Sequence, residues 1–254
     1  MRAFRVTSAS ADILFHDLPG PGAPLVFIHG LGCASSCDYP AVAADPALAG
    51  RRALLIDLLG SGYSERPPDF GYAIDAHAGA VAELLRSVSP GPACLFGHSM
   101  GGTVAIALAA MLGDDVEALI LAEPNLDPGG GFFSRKIAAL SEDEYVARGH
   151  AETVAAARRD GNVVWAGSLA STAPYAVHRA SVSLVEGSRP SWRETLSGLR
   201  SPKTVIFGER SLPDPDVEQL PGQGCRVYIV PEAGHSMAWD NPGGLAAAIR
   251  RALP

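Results

Sequence analysis

The chain has 254 residues, 47% of them hydrophobic and 19% charged, with a formal net charge of -7 at pH 7. That length fits one large domain, or one domain with a modest insertion, and is enough to bury a sizeable core. The acidic balance argues against nucleic acid or an anionic membrane surface as partner.

The first eight residues, Met1 to Ser8, lack the apolar centre of a secretory signal. No apolar stretch of the chain approaches the roughly 20 residues a membrane helix needs, so a cytoplasmic location is expected. The first apolar run is Leu25–Ile28, followed by His29-Gly30. Cys33 and Cys37 come next; with no second Cys or His pair they make no zinc pattern, and with Cys94 and Cys225 they are read as thiols, so no metal or cofactor is expected. Further runs follow at Ala53–Ile56, 93–96, 118–121, 204–207 and 227–230. Short continuous apolar runs suit strands buried on both faces, and their alternation with helical stretches predicts an α/β fold with a mostly parallel, doubly wound sheet. Each run ends in polar or glycine-containing sequence, Asp57, Gly97-His98-Ser99, Glu123 and Pro231 to His235 among them. Ligands bind at that edge of such sheets.

Residues 127–191 interrupt the alternation with helical sequence and no strand, and read as an inserted helical cap between a first core part, 1–126, and a second, 192–254. Ser141-Glu142-Asp143-Glu144 and Ser191-Trp192-Arg193-Glu194 have the form of capping boxes, the second restarting the core. A closing helix is predicted over 243–253. The aromatic and apolar residues Phe132, Phe133, Leu140, Tyr145, Trp165, Tyr175 and Trp192 could form a small core for the insert, or roof a pocket.

The strongest signal is Gly97-His98-Ser99-Met100-Gly101-Gly102, between the apolar run 93–96 and the small-residue helical stretch 103–112. A serine at the apex of a strand-turn-helix has strained backbone angles, so its neighbours two before and two after must be small. Gly97 and Gly101 meet that need, and the first amides of the helix, beginning with Met100, suit a developing oxyanion.

Four segments in order, His29-Gly30, Asp57-Leu58-Leu59-Gly60-Ser61-Gly62-Tyr63-Ser64, the Ser99 elbow and Gly234-His235-Ser236, make the chain resemble the α/β-hydrolase family from about residue 25 to 127 and from about 192 onward. The resemblance implies a nucleophile, acid and base in the chain order Ser, Asp or Glu, His. Among His16, His29, His77, His98, His150, His178 and His235, only His235 follows the final predicted strand, and it is the expected base. His29 is read as shaping a loop and His98 as filling the elbow. The acid departs from the commonest family pattern: Gly208-Glu209-Arg210-Ser211 has serine where Asp is expected. Asp214 and Asp216 lie slightly beyond, while Glu123 ends the strand after the nucleophile's helix, the place from which some members of this fold supply the acid. Glu123 is the preferred candidate, with Asp214 or Asp216 as the alternative. The resemblance also implies two backbone oxyanion donors, which map to Leu31 and Met100; Asp57 and its glycine turn are read as structural.

A serine nucleophile of this type implies hydrolysis of a small to medium, partly apolar ester or lactone through a covalent acyl-enzyme, with a small molecule as the only expected partner. Carbon–carbon bond hydrolysis by the same three residues, or a small-ligand receptor of the same fold, are the alternatives; rapid turnover separates the enzymes from the receptor. The sequence leaves oligomeric state open.

Overall fold

Eight strands form one sheet in the order β1-β2-β4-β3-β5-β6-β7-β8 in the computed structural model, which describes residues 1–254. The strands are β1 (Arg2–Val6), β2 (Ala11–Leu18), β3 (Leu25–Ile28), β4 (Ala53–Ile56), β5 (Ala93–His98), β6 (Val116–Ala122), β7 (Lys203–Gly208) and β8 (Cys225–Val230). From β4 across to β8 every pairing is parallel. The six apolar runs are these strands.

β1 and β2 were not among the expected elements. They form an antiparallel hairpin, and β2 pairs antiparallel with β4 at one side of the sheet. β2 buries Ala11, Ile13 and Phe15 and leaves the residues between them partly exposed, so its signal is alternation rather than a continuous run.

Both faces of the parallel strands are covered. Val26 and Ile28 of β3 point to one core, shared with α1 (Ile74–Val88) and α2 (Met100–Leu112), whereas Leu25 and Phe27 point to the other, shared with the C-terminal helix Pro242–Ala252. A strand with apolar neighbours on both sides has no polar position to spare, which is why these runs read as unbroken.

Between β6 and β7 the regular elements are all helical, among them α3 (Phe132–Ala138), α4 (His150–Arg159), α5 (Val163–Ala170) and α6 (Pro174–Glu186). The Ser141 box forms: its hydroxyl accepts from Glu144 N while Glu144 bonds back to Ser141 N, opening a turn that runs through a π-helical stretch into α4. Ile137, Tyr145, Val154, Ala157, Ala166, Leu169 and Val177 give this insert its own small core. The second box opens α7 (Trp192–Gly198). Arg193, at its start, pairs with Asp127 at 2.6 Å and Asp216 at 2.9 Å, tying the two ends of the insert to the core. The closing helix Pro242–Ala252 is α8. No helix is long and apolar enough to cross a membrane.

Candidate active site

Ser99 stands alone between β5 and α2 with φ 53° and ψ -122°, a conformation that costs a non-glycine residue energy and is retained where the surroundings enforce it. Its amide donates to Ala122 O at 2.9 Å and its carbonyl accepts from Gly102 N at 2.9 Å, so the turn is pinned to both β6 and the helix. A Cβ at Gly97 would lie 2.2 Å from Gly101 O, and one at Gly101 would lie 2.3 Å from Ile28 O. Nothing larger than glycine fits at either position.

At the end of β6, Glu123 also has positive φ, 42°, which turns its carboxylate across the sheet edge. Oε1 accepts from Gly208 N at 2.9 Å, and Oε2 lies 2.6 Å from His235 Nδ1. Burial raises the carboxyl's pKa, but the hydrogen bonds from His235, Gly208 and Ser211 outweigh it and hold the group below its ordinary value. Glu123 is thus ionised at neutral pH and orients His235 through Nδ1–H, leaving Nε2 free. Asp214 and Asp216 are engaged elsewhere: Asp214 accepts from Asp216 N, and Asp216 is bound to Arg193. The structure brings Glu123 to the histidine and leaves both aspartates away from it.

His98 does more than fill the elbow. Its Nε2 donates to the backbone carbonyl of His235 at 2.8 Å, and burial pushes its pKa down to about 3, so the ring is a neutral strut under the loop that carries the histidine. The sequence pattern gave no sign of this contact, which spans 137 positions.

His29 takes the shaping role expected of it. Leu58 N donates to its Nε2 at 3.0 Å, which fixes the proton on Nδ1, and Nδ1–H donates to Gly30 O at 2.8 Å. The carbonyl it holds belongs to the peptide whose N–H is that of Leu31, so one ring sets the direction of that amide. The Leu31 amide donates to no backbone acceptor, and Met100 N is the first amide of α2, which has no partner within its helix. Trp165 of the insert donates from Nε1 to Leu31 O at 2.8 Å, and Leu169 closes over Gly32. Asp57 is structural, its carboxylate taken by Ser36 N, Ser36 Oγ and Tyr63 N.

Ser99, Glu123 and His235 line one cavity of about 760 Å³, together with Gly30, Leu31 and His98. No hydrogen bond joins Ser99 Oγ to His235, and such pairs commonly close only when substrate is seated. Met100 contributes no side chain to this cavity; its side chain is buried behind the loop. The insert's aromatic residues divide by role. Phe132, Phe133 and Trp165 face the cavity, Leu140 and Tyr145 belong to the insert's own core, and Tyr175 and Trp192 pack on the main core. Asp38 also lines the cavity, and its Oδ1 accepts from Trp239 Nε1 at 3.1 Å, a pairing over 201 positions that no local sequence pattern encodes.

The chain is similar in sequence and in fold to several known hydrolases. An esterase of Mycobacterium tuberculosis is 29% identical over 272 aligned positions, covering 92% of this chain and 84% of the relative. A 2-hydroxymuconate semialdehyde hydrolase of Pseudomonas sp. (strain CF600) is 38% identical over 117 residues, 46% of this chain and 41% of that protein, so the chain matches less than half of its length. Among solved structures, a thermophilic esterase of Thermogutta terrifontis superposes with a TM-score of 0.79 at 23% identity, over 98% of this chain and 96% of that chain. The N-acyl homoserine lactonase AidH gives a TM-score of 0.75 at 19% identity, with 98% and 96% coverage. At such identities the structural likeness speaks to the fold alone. The sequence match to the family itself runs over residues 25–248, most of the chain, and this chain belongs to the alpha/beta hydrolase family.

Proposed function

We propose that the chain is a serine hydrolase of small to medium, partly apolar carboxylic esters or lactones, with Ser99 as nucleophile, His235 as base and Glu123 as the acid that orients it. The observation that carries this reading is the 2.6 Å contact between Glu123 and His235, in a cavity shared with a serine held at φ 53°.

The chemistry follows from the placement of protons. Nδ1–H of His235 stays on Glu123, so Nε2 accepts the Ser99 proton as Oγ attacks the carbonyl carbon. The negative charge that develops on the carbonyl oxygen is met by the amides of Leu31 and Met100, fixed beforehand and therefore effective without rearrangement. The imidazolium, stabilised by the Glu123 carboxylate, returns its proton to the departing alkoxide. Water activated by the same nitrogen then releases the acyl group. The helices over 127–191 act as a cap: Phe132, Phe133 and Trp165 give the cavity an apolar roof that selects acyl or alcohol groups by size.

The test is hydrolysis of a chromogenic ester series from short to long acyl chains by the wild-type chain and by Ser99→Ala. Turnover that vanishes in the variant supports the reading, and the chain-length optimum sizes the space under the cap. Absence of Ser99-dependent turnover on every ester and lactone removes it.

A second reading, hydrolysis of a carbon–carbon bond, is favoured by the 38% identity to the semialdehyde hydrolase over 117 residues. Against it, no lysine or arginine lines the cavity, so a carboxylate-bearing dienoate would find no cation there. Ser99-dependent cleavage of such a dienoate without ester turnover would put this reading first.

A further inference from the structure

The cavity wall is charged in one sense. Asp38, Glu123, Asp160 and Asp240 line it, with no lysine or arginine among its lining residues. Glu123 is held by His235, Asp240 is paired with Arg210 at 3.0 Å, and Asp160 is exposed to water. Asp38 has none of these compensations. It ends the short helix Ser35–Asp38, is only 8% exposed, and forms no ion pair; its side-chain hydrogen bonds come from two neutral donors, the Trp239 indole and the Cys33 thiol. His29 is close enough to be felt by the carboxylate, but its hydrogen bonds make it the neutral tautomer. Burial lifts the Asp38 carboxyl above its ordinary pKa, as it does where no cation offsets the loss of water.

A carboxylate removed from water and supplied only with neutral donors, an indole and a thiol, is costly unless a cation joins it. The protein supplies no such cation, while Asp38 lines the cavity that holds Ser99, beside the half-exposed ring of Trp239. Aromatic faces add attraction for a cation seated near them. We propose that the substrate carries a cationic ammonium group, which seats against Asp38 and Trp239 while its ester carbonyl is presented to Ser99. This names the substrate class of the site and, as regards turnover, rests on the serine-hydrolase reading; ammonium recognition itself requires only the cavity.

Binding is measured first, by titration calorimetry of hexylammonium and of hexanol into the wild-type chain. Hexylammonium is expected to bind at least about tenfold more tightly, the scale of a hydrogen bond to a charged group. Equal binding, or tighter binding of the alcohol, overturns the proposal without recourse to any variant. In Asp38→Asn, which keeps an acceptor for Trp239 and removes the charge, the hexylammonium-to-hexanol ratio is expected to fall to about one. A ratio that survives this substitution assigns the preference to the exposed acids at the rim and overturns the role of Asp38. The kinetic counterpart is the ratio of kcat/KM for an ω-ammonium ester over its ω-methyl isostere, expected at about ten or more in the wild-type chain and near one in Asp38→Asn. Neutral esters turned over with no ammonium preference would sink this proposal alone. Ammonium binding that depends on Asp38, with no ester turned over, would sink the hydrolase reading alone.

Discussion

At the sheet's carboxyl edge the functional side chains are held by backbone with no room to move, whereas the helices over 127–191 reach the same cavity through side chains. Ser99 and Glu123 sit at φ 53° and 42°, and added Cβ atoms at Gly97 and Gly101 would fall within 2.3 Å of backbone oxygens. The insert instead offers Phe132, Phe133 and Trp165, and its polar tie to the loop after His29-Gly30 is one indole N–H on Leu31 O. The lesson is a division of labour. The positions proposed for the chemistry are specified by steric constraint, while the surface proposed to size the substrate is built from side chains that can be exchanged without disturbing the elbow.

Substitutions that probe each region should therefore differ in size of effect. Gly97→Ala should destabilise by at least about 3 kcal/mol, because the new methyl meets backbone rather than a yielding side chain; denaturant unfolding reads it, and a near-native midpoint would break the contrast. On the core side, buried His77 is depressed to about 3 from an ordinary 6.5, chiefly by burial. The unfolded chain takes up that proton first, so this contribution is fully present above pH 6.5 and is lost as pH falls from 6.5 toward 3. His77→Phe, set among Phe70 and Tyr72, should flatten the acid limb of stability against pH by about 1.4 kcal/mol per pH unit, and an unchanged limb would refute the assignment. Trp165→Phe removes the indole donor to Leu31 and should lower kcat/KM about fivefold for short and long esters alike, the value of roughly one hydrogen bond. A loss confined to long esters would make Trp165 a wall rather than a tether. Smallest is Gly167→Ala in α5, where an added Cβ meets nothing within 4 Å; it should stabilise by up to about 1 kcal/mol, and clear destabilisation would show the insert to be as constrained as the elbow.

Legibility in the sequence follows the same division. The parallel strands stand out because both faces are buried, and the elbow stands out because steric constraint writes itself as glycine. β1 and β2 escaped because a half-buried hairpin alternates instead of running apolar. Glu123 was preferred for its place at the end of the strand after the nucleophile's helix, where some members of this fold carry the acid, but what separates it from Asp214 and Asp216 is their engagement elsewhere, with Arg193 taking Asp216, and that is a tertiary fact. The strut from His98 to His235, the tether from Trp165 to Leu31 and the pairing of Asp38 with Trp239 join residues 137, 134 and 201 positions apart, and no local pattern encodes such contacts.

The central claim is that Glu123, and neither aspartate beyond β7, orients His235. The most direct measurement is kcat of Glu123→Gln beside that of Asp214→Asn on the best ester. Glutamine can still accept from Gly208 N, so the elements stay in place while the charge opposite the imidazolium is gone. The account predicts a fall of about 10² or more in kcat for Glu123→Gln with KM close to wild type, and less than about a threefold change for Asp214→Asn. Full activity in Glu123→Gln, or the large loss in Asp214→Asn instead, would contradict it.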